Sequence, residues 1–152
     1  MTAAPAIRPA TADDVPAIER IVHDAYLSYV ERIGKEPGPM LDDYRARVAE
    51  GAASVLTVDG AVAGVLVLLP EADHLLLDNV AVAPARKGTG LGGLLMRHAE
   101  DEARRRGYGE IRLYTHALMH ENRALYARLG YSEYAAFEQA GYSRVFMRKP
   151  LA

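Results

Sequence analysis

The stretch "VAVAPARKGTGLGGLLMRHAEDEARRRG", residues 80–107, carries the strongest signal in the chain, because an apolar strand runs into clustered glycines and then a helix. Gly88, Gly90 and Gly93 spell the dinucleotide pattern G-x-G-x-x-G. That pattern requires the first strand of a βαβ unit and an acidic residue about twenty positions later. Here the strand is the fourth predicted one, and Leu113 stands where the acid belongs. A dinucleotide-binding oxidoreductase is therefore disfavoured.

The same glycines favour a phosphate cradle of another kind. Backbone N–H groups without side-chain cover, placed at the positive end of a helix dipole, bind anions. The dipole alone supplies about 0.3–1 kcal/mol, so several N–H bonds must converge on the anion. Arg86 and Lys87 add positive charge at the entrance. The alternative is a tight turn that needs glycine only for packing. The glycines concerned are Gly88, Gly90, Gly92 and Gly93.

Composition limits the remaining function classes. With 152 residues, half of them hydrophobic, the chain fits one domain, residues 1–152. A net charge of −2 gives no electrostatic reason to expect nucleic acid or an anionic membrane as a partner. There is no cysteine, which excludes disulfides and thiolate chemistry and suits a reducing compartment. No secretory leader pattern precedes the first element. We expect a cytoplasmic protein.

Hydrophobic periodicity predicts the element order β-α-α-β-β-β-α-β-α-β-β. Thr11 and Asp14 form a carboxylate variant of the capping box at the start of the first helix. The segment "LDDYRARVAEG", residues 41–51, predicts a second helix that ends at a glycine. Asp59-Gly60 joins two apolar strands in a hairpin, and Ala140-Gly141 a final pair. The order describes an α/β domain with antiparallel strands first and helical crossovers later.

Residues 80–96, "VAVAPARKGTGLGGLLM", resemble motif A of the GNAT superfamily of acyl-CoA-dependent N-acetyltransferases. There the pattern [QR]-x-x-G-x-[GA] holds the coenzyme A pyrophosphate, and Lys87, Gly90 and Gly92 fill its fixed positions. Lysine at the first position is a mild departure, because that position acts largely through its backbone amide. The resemblance implies cofactor contacts from the loop residues Lys87, Gly88, Thr89, Gly90, Gly92 and Gly93.

The segment "ENRALYARLGY", residues 121–131, is similar to motif B of the same family. Tyr126 lies four residues before Gly130, as in the family. Asn122 lies four residues before Tyr126, whereas the commonest family spacing is seven, which falls on Met119. One group of small bacterial members shares the shortened spacing. The resemblance implies that Asn122 contacts the cofactor and that Tyr126 protonates the departing thiolate.

The resemblance also implies a fold and a reaction. The fold is a single-domain, mixed, largely antiparallel twisted sheet flanked by helices and splayed between strands 4 and 5. The pantetheine arm would pair with the backbone of Val80 and Val82, and an acetyl group would pass from acetyl-CoA directly to a primary amine. A non-catalytic acyl-CoA-binding or sensing module is the alternative function.

A general base is harder to assign from the sequence. Asp78, on the fourth strand, is the first candidate, and His116, at the end of the next strand, is the second. A water chain serves equally well, and Asp78 is also explained as a hydrogen-bonded carboxylate at a strand end. His116 and His120 have the i, i+4 spacing of a zinc site, but the pair begins at a strand end and lacks the accompanying glutamate. No metal is expected.

The acceptor site is expected between the first helices and the final hairpin. Its candidate residues are Tyr26, Tyr29, Arg32 and Tyr44. An ordinary helix surface shows similar residues, so a polyamine, an amino acid, an antibiotic amine and a peptide amine all stay open as acceptors. The oligomeric state also stays open, a homodimer included.

Overall fold

The computed structural model describes residues 4–152, and the element order there follows the predicted order with one exception. No helix in this range combines the length and apolar character that a membrane span requires. The elements are β1 (Ala6–Pro9), α1 (Val15–Ile33), α2 (Gly38–Leu41), α3 (Tyr44–Ala49), β2 (Ala53–Val58), β3 (Ala61–Pro70), β4 (Leu75–Val82), α4 (Leu91–Arg105), β5 (Glu110–His116), α5 (His120–Arg128), β6 (Ser132–Gln139) and β7 (Tyr142–Pro150).

The strands form a seven-stranded sheet in the order β1-β2-β3-β4-β5-β7-β6. The hairpin β2–β3 and the pairs β5–β7 and β6–β7 are antiparallel, whereas β4 and β5 are parallel because α4 connects them as a crossover. The β4–β5 ladder runs from Leu75 opposite Ile111 to Leu77 opposite Leu113. The splay was predicted between these two strands. The predicted class, a mixed and largely antiparallel α/β fold, is confirmed.

The exception is an additional short helix, α2, which precedes α3 and shares only Leu41 with the second helix predicted over residues 41–51. Asp42 separates α2 from α3 with an extended backbone, ψ 154°. Its carboxylate accepts hydrogen bonds from the Asp43 amide (2.9 Å) and from Arg47 Nε (3.0 Å). The Asp43 carboxylate in turn caps α3 by accepting from the Ala46 amide at 3.1 Å. Aspartate at a helix start competes with helix continuation in this way, and the prediction of a continuous helix was wrong.

Both predicted hairpin turns are present. Asp59 and Gly60 adopt φ values of 52° and 80°, and Ala140 and Gly141 adopt 53° and 84°. Two successive left-handed residues are the geometry of a type I′ turn, whose twist matches that of the flanking strands. The turn at Ala140 places an alanine where glycine or asparagine is preferred, which adds local strain to the β6–β7 hairpin.

The described residues divide into two compact units. Unit one comprises residues 4–68 and 79–99, and unit two comprises residues 69–78 and 100–152. The unit-one core consists of fully buried side chains from α1, β2, β3 and α4, including Ile18, Leu56, Leu66 and Leu95. The unit-two core is formed by Leu75, Ile111, Leu113 and Met147.

The start of α1 is fixed by a buried carboxylate. Arg8 donates to both oxygens of Asp14, at 2.7 and 3.0 Å, and the Thr11 amide donates to Oδ2 at 2.7 Å. The hydrogen bonds from Arg8 lower the pKa of Asp14 to about 2. The predicted partnership of Thr11 and Asp14 is confirmed, and it precedes α1 as a single 3₁₀ turn, Ala12–Asp14.

Candidate functional site

The glycine-rich loop begins with a tight turn after β4. A 3₁₀ turn, Pro84–Arg86, follows the strand. The Arg86 carbonyl accepts from the Thr89 amide at 3.3 Å and from Thr89 Oγ1 at 2.5 Å. Thr89 therefore fixes the loop from inside. Its hydroxyl is used by the protein itself.

The backbone of this loop presents uncovered N–H groups. Gly88 and Gly90 have φ values of 82° and 85°, which residues other than glycine rarely adopt. The first helical bond of α4 runs from the Leu94 amide to the Gly90 carbonyl at 3.2 Å. Within residues 4–152, no carbonyl accepts from the amides of Gly88, Gly90, Gly92 and Gly93.

The space around most of the loop glycines is also open. A Cβ added at Gly88, Gly90 or Gly92 meets no atom within 4 Å. At Gly93 it would lie 3.3 Å from the Arg97 guanidinium. Lys87 is exposed at the loop entrance. Free amides, open space and a helix N-terminus together make a cradle that fits an anion such as a phosphate.

Val80 and Val82 lie on β4 immediately before the loop, and both are half-buried. The Val80 carbonyl accepts a hydrogen bond from the Tyr26 hydroxyl at 3.3 Å. β4 alternates strictly between buried and half-buried positions, so the two valines share one face and Asn79 and Ala81 the other.

A buried polar chain that the sequence did not reveal supports this part of β4. Asn79, 4% exposed, accepts from the Tyr26 hydroxyl at 2.8 Å and donates to the Tyr44 hydroxyl at 2.9 Å. Tyr44 donates onward to the Pro39 carbonyl. Asparagine inside the apolar run "LLLDNVAV" was the available signal. The chain joins α1, α3 and β4 by side chains alone.

The four predicted acceptor residues separate into two pairs. Tyr26 and Tyr44 are 8% and 3% exposed, and both hydroxyls bond to Asn79. Tyr29 is half-buried and Arg32 is exposed, with the Arg32 guanidinium carbon 5.0 Å from the Tyr29 ring centroid. Tyr29 also lies beside Tyr26, at 6.4 Å between ring centroids. Only the second pair offers surface to a ligand in this structure.

Tyr126 lies on α5 in unit two and is 6% exposed. Its ring meets the edge of Tyr131 at 6.2 Å between centroids. The Tyr131 hydroxyl is buried, and no described residue forms a hydrogen bond with it. Burial raises the pKa of Tyr131, and the nearby Glu100 carboxylate adds to the effect. Lys149 pairs with Glu100 at 2.8 Å and covers the Tyr131 ring.

Asn122, the other predicted residue of α5, is half-buried. Its side-chain amide contacts the buried Met119 sulfur, with Nδ2 and Sδ 3.6 Å apart. A thioether is a weak acceptor. Most of the hydrogen-bonding capacity of the Asn122 amide therefore stays available for a ligand.

The two candidate bases differ in their partners. Asp78 is half-buried, and its Oδ1 accepts from the Tyr114 hydroxyl at 2.8 Å. His116 accepts at Nδ1 from the Leu118 amide at 3.1 Å, so the proton of its neutral ring stands on Nε2. The lone pair that a base needs is occupied in His116. Asp78 is therefore the better placed of the two. Tyr114 was missed by sequence reasoning.

Metal ligands do not cluster in the described part of the chain. Residues 4–152 contain no group of three or more His, Cys, Asp or Glu side chains arranged to hold an ion. His116 instead meets the edge of the Tyr142 ring, at 6.2 Å between centroids.

The mixed sheet with its parallel β4–β5 pair and the glycine-rich loop at the start of α4 agree with the fold that the GNAT resemblance implies. The model of the acetyltransferase (GNAT) family matches residues 17–131, and the chain belongs to this family. A streptothricin acetyltransferase from Streptomyces lavendulae is 41% identical over 71 residues. That match covers 45% of this chain and 34% of the relative, so the chain spans about a third of that relative's length.

Solved structures share the fold across nearly the whole chain. A PaiA N-acetyltransferase from Thermoplasma acidophilum, solved in complex with coenzyme A, has a TM-score of 0.81 at 16% identity and covers 97% of this chain and 99% of its own. A ribosomal-protein alanine N-acetyltransferase from Escherichia coli has a TM-score of 0.77 at 23% identity, over 98% and 95% of the two chains. At these identities the similarity concerns the fold alone.

Proposed function

We propose that this chain transfers an acetyl group from acetyl-CoA to a primary amine, by direct attack of the amine while both substrates are bound. The observation that carries the proposal is the loop at the start of α4. Its four glycine amides are uncovered, and the space beside three of them is open. A diphosphate needs several converging N–H donors, and this backbone supplies them.

The loop residues would hold the pyrophosphate of coenzyme A. Gly88 and Gly90 keep the left-handed backbone that turns the amides outward, and Thr89 braces the turn through Arg86. Lys87 adds a charge at the entrance. Gly92 and Gly93 contribute first-turn amides of α4, where the helix dipole favours negative charge.

The backbone of β4 would orient the pantetheine arm. Val80 and Val82 lie two residues apart on one strand, the spacing with which a strand presents peptide groups to the same neighbour. An N–H group of this segment would polarise the thioester carbonyl. The Asn79 chain holds the strand from its other face, which keeps those peptide groups in place.

Tyr126 would supply the proton that the departing thiolate needs. A phenol with a pKa of ~10 is a suitable donor to a thiolate whose conjugate acid has a pKa of ~8.5. Burial of Tyr126 restricts its ring to one orientation against Tyr131. Asn122, one turn earlier on α5, would contact the cofactor.

Asp78 would accept the proton that the amine must lose before attack. Deprotonating an alkyl ammonium of pKa ~10.4 at neutral pH costs roughly 4–5 kcal/mol, so a nearby base lowers the barrier. The Tyr114 hydroxyl donates to Asp78 Oδ1 at 2.8 Å and so holds the orientation of this carboxylate. The streptothricin acetyltransferase that this chain resembles supports an amine as the acceptor.

The test is thiol release from acetyl-CoA across a panel of primary amines, together with a paired mutation. Tyr126→Phe should lower kcat about 100-fold while acetyl-CoA affinity, measured by calorimetry, stays within about twofold. Tyr131→Phe is the matched control, because it removes a neighbouring hydroxyl that forms no hydrogen bond with any described residue. We expect it to leave activity unchanged.

Other outcomes have definite meanings. Equal losses of turnover and coenzyme affinity in Tyr126→Phe would exclude the proton-donor role. Acetyl-CoA binding without thiol release for any amine would instead identify a non-catalytic acyl-CoA-binding module. If the protein does not bind acetyl-CoA, the proposed function is contradicted.

A further inference from the structure

One arginine in unit two lies close to two tyrosine rings. Arg144, on β7, is half-buried, and its guanidinium carbon lies 4.5 Å from the Tyr114 ring centroid and 5.7 Å from that of Tyr142. Arg144 donates to a neutral partner, the Gln139 side-chain oxygen, at 2.6 Å. Among residues 4–152, no carboxylate lies within 4 Å of it. By contrast, Arg112 pairs with Glu110 and Arg123 with Glu133.

An arginine in this setting has the chemistry to bind an anion. A guanidinium carries five N–H donors, and a single neutral oxygen uses few of them. The two tyrosine rings restrict its motion, so little side-chain entropy is lost when a carboxylate binds as a bidentate partner.

The same tyrosine joins Arg144 to the candidate base. Tyr114 places its ring under the guanidinium and donates its hydroxyl to Asp78 at 2.8 Å. The register puts these groups on one face of the sheet, since His116 pairs with Arg144 and Tyr114 with Phe146. Arg144 and Asp78 thus both contact the Tyr114 phenol. Their charges are complementary to the carboxylate and the ammonium group of a zwitterion.

An aromatic strip continues from this pair on the same face. Phe146 lies 6.0 Å from Tyr114, and Phe137 is stacked on Phe146 at 4.6 Å between ring centroids. Phe137 is 52% exposed, although it is a large apolar side chain on an edge strand. Apolar surface beside a charge pair suits a ligand that is itself partly apolar.

We infer that the acceptor is an α-amino acid with an apolar side chain, an inference that rests on the proposed function. Arg144 binds the carboxylate of the acceptor, Asp78 receives the proton from its ammonium group, and Phe146 and Phe137 contact its side chain. The amino nitrogen, once deprotonated, forms the new bond to the acetyl carbon, and the carbon–sulfur bond of the thioester breaks. The thiolate takes up a proton.

The experiment compares L-phenylalanine with phenethylamine, which lacks only the carboxylate, in a thiol-release assay. For the wild-type protein, kcat/KM should be at least about 10-fold higher for phenylalanine, as a charge-assisted bidentate contact implies. Arg144→Gln should raise KM for phenylalanine about 10-fold or more, with kcat within about twofold. Its kinetics with phenethylamine should not change.

Arg148→Gln is the matched control. Arg148 lies on the same strand, its guanidinium carbon is 5.6 Å from the Tyr134 ring centroid, and its side chain is exposed. The same substitution there should leave KM for phenylalanine unchanged. Arg144→Lys should give an intermediate KM, because the charge stays and the two-pronged geometry is lost.

Three results would overturn the inference: phenethylamine as good an acceptor as phenylalanine, equal losses for both amines in Arg144→Gln, or the same effect from Arg148→Gln. If phenethylamine is acetylated and phenylalanine is not, the inference is contradicted, whereas the proposed acetyltransferase function is still supported. If neither amine yields thiol, calorimetry of phenylalanine with the protein and coenzyme A decides: absence of binding contradicts the inference, and binding that Arg144→Gln weakens supports it.

Discussion

Two regions of unit one present polar groups in opposite ways. The loop from Arg86 to Gly93 exposes backbone amides, and the space beside three of its four glycines is open. The chain from Tyr26 through Asn79 to Tyr44 buries side-chain groups and satisfies each of them within the protein. The loop has hydrogen bonds left for a ligand, whereas the buried chain has used its own for the fold.

The difference separates binding from stability. An exposed amide that lacks a partner costs little, because water satisfies it until a ligand arrives. A buried hydroxyl or amide that loses its partner costs ~1–3 kcal/mol. Mutations in the loop should therefore change ligand affinity, and mutations in the buried chain should change the free energy of unfolding.

The largest expected effect is in the loop. Gly90→Val places a side chain at a φ of 85° and in the open space of the cradle. Coenzyme A affinity, measured by calorimetry, should fall about 100-fold, or ~2.7 kcal/mol. Gly51→Val is the control, since Gly51 also has a positive φ (74°) and open surroundings. It should lose similar stability and keep its affinity. Wild-type affinity in Gly90→Val would contradict the cradle.

The second effect is in the buried chain. Asn79→Ala should lower the free energy of unfolding by about 2 kcal/mol in urea denaturation, because Tyr44 loses a donor and a small cavity opens. Tyr26 keeps the Val80 carbonyl as an acceptor, which limits the loss. Tyr26→Phe should cost about 1 kcal/mol, and the double variant less than the sum of both. Additive losses would show that the two side chains act independently.

The smallest effect tests the first turn of α1 by pH. The pKa of Asp14 is lowered in the folded state to about 2, from ~3.9 when unfolded. The carboxylate therefore stabilises the fold above about pH 4, and this contribution is lost as the pH falls from about 4 to 2. Asp14→Asn should cost about 1 kcal/mol at pH 7, a discounted value because Arg8 is 45% exposed.

The control for that experiment is Asp13→Asn, at an exposed neighbouring carboxylate. The stability difference between wild type and Asp14→Asn, followed by thermal unfolding, should shrink below pH 4. A difference that is constant from pH 7 to pH 2 would show that the Arg8–Asp14 pair contributes through packing rather than charge.

Local signals in the sequence predicted most of the fold. Asp59-Gly60 between two apolar, β-branched runs predicted the β2–β3 hairpin, and Gly107 predicted the end of α4, because such signals act over a few residues. The break at Asp42 was missed. The break arises because Asp43 caps α3 whereas Asp42 bonds to Arg47. Tertiary packing determines which aspartate takes which role.

The candidate site was likewise predicted from the sequence only in part. The glycine-rich loop before α4 was predicted from the sequence, because its glycines are adjacent in the chain. Tyr114 and Arg144 were not predicted, since their importance comes from a contact across two paired strands, between residues thirty positions apart. Tyr26 and Tyr44 were assigned to acceptor binding, and their shared partner Asn79 was not foreseen, because side-chain networks leave no periodic trace.

The alternation along β4 has a practical meaning for protein engineering. Its positions are buried and half-buried in strict turn, from Leu75 to Val82. Randomising Leu76 and Val82 would vary the half-buried face and leave the buried residues Leu77 and Ala81, as well as the proposed base Asp78, untouched. We expect such a library to keep a high proportion of folded clones, because the buried face of β4 is unchanged.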